Sequence, residues 1–184
     1  MTDDTRALHE TRLSSDSVYR GRILDLEVDR VRLPSGSETT REVVRHRGAA
    51  VVLPLHADRR VVLVRQYRYP SDEVLLELPA GKLDPGEDAR ECAARELEEE
   101  TGWRAGEVRE LGSFLTTPGF TDEVLHAFLA TGLSEAPEAR PDPDEAIEIV
   151  TMRVDEVLAA CRSGEIRDGK TLATILLARL NGWL

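Results

Sequence analysis

The stretch from Gly81 to Trp103, GKLDPGEDARECAARELEEETGW, constrains this chain more than any other. It opens on Gly81-Lys82-Leu83-Asp84-Pro85-Gly86, a run rich in turn formers. A helix is predicted from about Glu87 to Thr101, with Gly102 as its C-cap. Glu96, Glu99 and Glu100 stand at i, i+3 and i+4, so they share one helical face. Like charges at those spacings destabilise a bare helix by roughly a few tenths of a kcal/mol per pair. Against a folded body the repulsion grows unless a cation stands among them. Hard oxygen ligands on one face suit Mg²⁺ or Mn²⁺. Taken alone, the run Glu98-Glu99-Glu100 reads as a solvated acidic face.

Composition narrows the classes. The 184 residues suffice for a domain with a real core, and 41% hydrophobic content indicates a globular chain. A formal net charge of −11 argues against non-specific nucleic-acid binding through phosphates. It leaves a small anionic substrate open, because metal ions supply a positive field locally. The cysteines, Cys92 and Cys161, both fall in predicted helices and read as buried small hydrophobes. No disulfide framework is expected, and a reducing cytoplasm fits. The first seventeen residues lack an apolar run, so no signal peptide is expected, and no stretch is apolar enough to span a membrane.

Residues 1–17 read as a polar tail. From Val18 to Leu33 the pattern is extended, with Leu24, Leu26 and Val28 alternating with Asp25, Glu27 and Asp29. Pro34–Ser37 turns the chain, and Arg41–Arg47 returns as a second strand. The two form a hairpin arm over 18–47, which must pack on something to be stable. The body, 48–184, begins with Ala49–Leu55, a near-continuous apolar run typical of a strand buried on both faces. Strands are predicted over Val61–Tyr67, Val74–Leu78, Val108–Leu115, Val124–Ala130 and Ile147–Arg153. Residues 133–145, LSEAPEARPDPDE, form a long polar loop. Val154–Ser163 and Thr171–Leu180 read as amphipathic helices. Strands mixed with helices make the class α/β or α+β.

Gly81, five residues, Glu87, seven residues, Arg95-Glu96-Leu97, any residue, Glu99-Glu100, any residue, Gly102 and Trp103 resembles the Nudix box with every position filled. Leu78-Pro79-Ala80-Gly81 before it, Thr116-Thr117-Pro118-Gly119-Phe120 after it and Gly164–Thr171 near the end resemble the ADP-ribose pyrophosphatase group of that family. The resemblance covers roughly 20–182. It implies an α/β/α sandwich with a mixed sheet, preceded by the β arm, and a homodimer in which the arm contacts a second subunit. It implies metal-dependent hydrolysis of the diphosphate bond of ADP-ribose or a related nucleotide sugar, giving AMP and ribose 5-phosphate.

By the same resemblance, Glu96, Glu99, Glu100 and the carbonyl of Ala80 hold Mg²⁺, with Mn²⁺ as the alternative. Arg95, with Glu87, orients the carboxylates. Among the loop acids Asp144, Glu145 and Glu148, Glu145 is chosen as the general base, since a loop position suits a group that closes over substrate. Arg68 is the better diphosphate clamp and Arg65 the second. Arg47, Pro118 and Glu123 are further substrate candidates. The resemblance departs at Leu76, where an aromatic often stands, and this leaves nucleotide selectivity open. Two rivals remain: the same chemistry on another sugar nucleotide, dinucleotide or damaged triphosphate, and a non-catalytic ADP-ribose sensor.

Overall fold

A computed structural model describes residues 7–136 and 146–184. The chain divides into two compact units, one reaching to His46 with Thr117–Glu123, the other Arg47–Thr116 with Val124–Leu184.

The first unit is a three-stranded antiparallel sheet, β1 (Thr11–Arg20), β2 (Asp25–Arg32) and β3 (Glu38–Arg45), in that order. The expected arm had two strands. The third, β1, forms largely from residues whose polarity read as a tail, with Val18–Arg20 from the stretch read as extended, by pairing Thr11 with Arg32 through Arg20 with Asp25. The burial of β2 also differs from its apolar alternation. Asp29 and Val31 are its buried residues, while Leu24 is exposed. Arg45 explains the buried acid: its Nη2 donates to Asp29 at 2.9 Å and its Nε to Glu27 at 2.8 Å. Val44 N–H donates to the Phe120 carbonyl, which ties Thr117–Glu123 to β3.

The second unit holds the remaining elements. Strands β4 (Ala49–Pro54), β5 (Arg60–Arg68), β6 (Glu73–Glu77) and β7 (Ala80–Lys82) lead into helix α1 (Ala89–Thr101). Then come β8 (Trp103–Arg104), β9 (Glu107–Leu115), β10 (Val124–Thr131), β11 (Ser134–Glu135), β12 (Ile147–Arg153), α2 (Val154–Ser163) and α3 (Gly169–Leu180). One sheet runs β7-β4-β10-β9, with β4 and β10 parallel; another runs β12-β5-β6, all antiparallel.

Strand β4 is buried on both faces, as its apolar run predicts. Ala49, Val51 and Leu53 join one core with Leu63, Leu78, Leu129 and Ile175 of α3. Ala50 and Val52 join a second core with Cys92, Ala93 and Leu97 of α1. The sheet therefore lies between α1 and α3, the expected α/β/α arrangement. Burying each leucine contributes about 1.5–3 kcal/mol. Among the described residues no helix is long and apolar enough to cross a membrane.

Candidate active site

Helix α1 begins at Ala89 rather than Glu87 because Asp88 is its N-cap, accepting from Arg90 N–H at 2.9 Å. It ends where Gly102 turns left-handed, at φ 68°, and donates its N–H to the Glu98 carbonyl. Cys92, Ala93 and Leu97 bury one side of the helix. The acids of its last turns part company. Glu98 turns outward and accepts both Nε and Nη2 of Arg104, at 2.8 and 3.0 Å. Glu100, only 6% exposed, turns inward and accepts the Ala80 N–H at 3.1 Å.

Arg95 gathers the rest. Its Nη1 donates to Glu96 at 2.7 Å and Glu99 at 2.9 Å, and its Nε and Nη2 donate to Glu87 at 2.9 and 3.1 Å. The pairing with Glu87, and then the nearby Glu96 and Glu99, holds the guanidinium well above its ordinary range against the opposing effect of burial. Reciprocally, Arg95 holds the Glu87 carboxyl below the usual carboxylate range. Glu87 also accepts the Asp84 N–H at 2.9 Å, so the loop before α1 is tied to the same cation. Cys92 donates its thiol towards the carbonyls of Lys82 and Gly81, at 3.5 and 3.6 Å. Burial first, then the charge of Glu87, push that thiol up to about 12, so it is an inert donor rather than a nucleophile.

The two box glycines serve different ends. Gly102 supplies the left-handed backbone expected of it. Gly81 has no positive φ; a Cβ built on it would fall on the carboxylate of Glu96. It provides room, not a backbone shape.

Arg68 and Arg65 lie three residues apart on β5, so their side chains leave opposite faces. Arg65 reaches Glu148, its partner in register on β12, at 3.2 Å. Arg68 grips Glu77 with two bonds, Nε to Oε1 at 2.9 Å and Nη2 to Oε2 at 2.7 Å. Lys170, in the first turn of α3, pairs with the same Glu77 and with Asp168 at 3.0 Å. The sequence singled out neither Glu77 nor Lys170. Leu76, the departure noted above, is 5% exposed and belongs to the core. Pro118 and Glu123 belong to the first unit, where Glu123 lies 3.4 Å from His46. Arg47 is an exposed residue at the start of the second. Asp144 and Glu145 lie outside the described residues.

Among the described residues, no three His, Cys, Asp or Glu side chains already converge as a metal cage. The donor set nevertheless fits a hard divalent cation. Glu96, Glu99 and Glu100 offer carboxylate oxygens, Ala80 sits against Glu100, and Gly81 leaves space beside Glu96. Arg95 Nη1 supplies the positive charge between Glu96 and Glu99.

Comparison with known proteins decides the family: the NUDIX domain matches residues 44–175, and the Nucleoside diphosphate sugar hydrolase N-terminal domain matches 10–44. The chain belongs to the Nudix family. A Methanol dehydrogenase activator of Bacillus methanolicus is 39% identical, covering 95% of this Nudix chain and 95% of that one. An ADP-ribose pyrophosphatase of Bacillus subtilis (strain 168) is 38% identical with the same coverage of both. A crystal structure described as an ADP compounds hydrolase superposes with a TM-score of 0.83, covering 96% of this chain and 98% of that one at 21% identity. That superposition establishes the Nudix fold.

Proposed function

We propose that this Nudix enzyme, a nucleoside diphosphate sugar hydrolase, cuts the diphosphate bond of ADP-ribose, giving AMP and ribose 5-phosphate. One observation carries the reading. A single helix presents Glu96, Glu99 and inward-turned Glu100 beside Ala80, in a chain that matches an ADP-ribose pyrophosphatase over nearly the whole of both.

Glu96, Glu99, Glu100 and the Ala80 carbonyl would hold a divalent cation, Mg²⁺ first and Mn²⁺ second. When bound, such a cation neutralises the diphosphate and makes a water beside it easier to deprotonate. Arg95 keeps the carboxylates apart and aimed, and passes Glu96 and Glu99 to the cation while keeping Glu87. Arg68 binds a diphosphate oxygen. Glu145 takes the proton of the attacking water, with Asp144 and Glu148 as its alternatives. The cytoplasm is the proposed compartment, and a homodimer the proposed assembly; both cysteines are free thiols.

The test is a panel of ADP-ribose, other nucleoside diphosphate sugars, a dinucleotide and an oxidised triphosphate, with Mg²⁺, read by product chromatography. ADP-ribose is expected to give AMP and ribose 5-phosphate; silence across the panel overturns the reading and favours a sensor. Glu99→Gln and Glu100→Gln should each cut turnover by about 10²-fold or more with the circular-dichroism melt kept. Near-normal turnover in both refutes the metal assignment. Glu145→Gln should lower kcat more than it raises KM; if Glu148→Gln does so instead, Glu148 is the base. A second reading, the same cut on a different nucleotide, draws on Leu76, a core leucine where an aromatic often stands. The panel separates the two.

A further inference from the structure

Four charges meet at the start of α3 where two would suffice. Glu77 is 1% exposed, and Arg68 alone satisfies both its oxygens in side-on geometry. Burying one more ion costs several kcal/mol before any attraction is counted. Yet Lys170, itself largely buried, adds a second cation to Glu77, and Asp168 a second anion to Lys170. Lys170 also stands in the first turn of α3, where the helix dipole disfavours a cation. A stability role explains the Arg68–Glu77 pair but not the second one.

The geometry of Arg68 supplies a reason. Glu77 takes its Nε and Nη2 edge, and among the described residues Nη1 donates to nothing. The end-on edge of the guanidinium is thus left for another acceptor, on a side chain about a third exposed. Glu100 of α1 and Asp168 lie close enough to add to the field at Arg68, so Arg68 neighbours a carboxylate of α1. With Glu77 as its sole neighbour, Arg68 would be fully neutralised. Lys170 shares the Glu77 charge and leaves Arg68 a net attraction for an oxyanion.

We propose that Glu77 and Lys170 are positioning residues that aim the free edge of Arg68 at the diphosphate of the substrate. Glu77 fixes the plane of the guanidinium, and Lys170 keeps it cationic in effect. This rests on the nucleotide-sugar reading above.

Calorimetry with α,β-methylene ADP-ribose, which cannot be cut at that bond, tests it on the full chain. Lys170→Met should weaken binding about 10-fold, and Lys170→Arg should restore most of it. In an Arg68→Ala background, Lys170→Met should add less than about 2-fold, because two residues acting through one contact are not additive. Wild-type affinity in Lys170→Met, or its full loss recurring on Arg68→Ala, overturns the proposal, as does absence of binding by the wild type. Wild-type turnover of ADP-ribose is measured alongside. No turnover with the binding pattern intact sinks the hydrolase reading and keeps the clamp. Turnover without the pattern does the reverse.

Discussion

Arg95 shows how one residue can carry a site's architecture. Three carboxylates sit within 2.9 Å of its guanidinium nitrogens, and none would tolerate the others' charge so close without it. Its neighbour in space, Gly81, works by what it lacks. Adding one methyl there pushes the Glu96 carboxylate aside, while the backbone, with no positive φ to defend, is unstrained. Gly81→Ala should therefore fold, with a melting temperature within a few degrees of wild type, and lose about 10²-fold in kcat, the scale of a misplacement of about 1 Å. Steady-state kinetics beside a thermal melt check this; full activity would mean that Glu96 has nowhere particular to be. The spacing of these residues was legible in the sequence, because a helix converts spacing directly into a face. Glu77 was not legible. It is the last of two acids that flank an apolar run, and its lysine partner lies 93 residues further along the chain.

At the scale of elements, the strands that bury one face or both announced themselves through their side-chain period. Two escaped. β1 leaves all but Leu13 of its ten residues exposed, so no buried face exists to imprint alternation on its sequence. β7 is three residues inside a turn-rich run, made a strand by pairing with β4. The junction of β6 and α3 yields a prediction of its own. Leu78 N–H donates to Thr171 Oγ1 at 2.9 Å, directly beside the Glu77 cluster, so this strand end and this helix start stand or fall together. Burial raises the Glu77 carboxyl, but Arg68 and then Lys170 outweigh it and hold the group below its ordinary 4.5. Because the folded pKa is the lower one, the stability it contributes is present above the unfolded value and is lost as pH falls through the folded one. The melting temperature should fall steeply below about pH 4.5. Glu77→Gln should flatten that acid limb, starting from a fold about 1–3 kcal/mol weaker at pH 7, since partly exposed Arg68 loses its carboxylate and Lys170 keeps only Asp168. An acid limb of unchanged steepness in Glu77→Gln would assign it to other carboxylates.

At the scale of the whole molecule, the first unit poses a question its own residues do not answer. A three-stranded sheet with a strand so exposed presents an open edge, and soluble proteins cover such edges or blunt them. β1 carries only one acid, Asp16, near its middle; Val18 and Tyr19, 60% and 58% exposed, precede its last residue, Arg20, with Ile23 at 55% just beyond. Apolar side chains gathered at one end of an edge strand fit a surface that meets another protein. A second copy of the chain is the occupant we propose. Light scattering on the purified chain should then give about twice 20.5 kDa at micromolar concentration. Val18→Asp with Tyr19→Asp places like charges at that surface and should shift the mass towards one chain, whatever it does to turnover. The net charge of −11 makes association of two copies harder at low salt, so raising ionic strength should tighten the dimer while leaving the apolar contact intact. A single-chain mass at every concentration and salt would leave β1 exposed for a different partner and remove the dimer from the account.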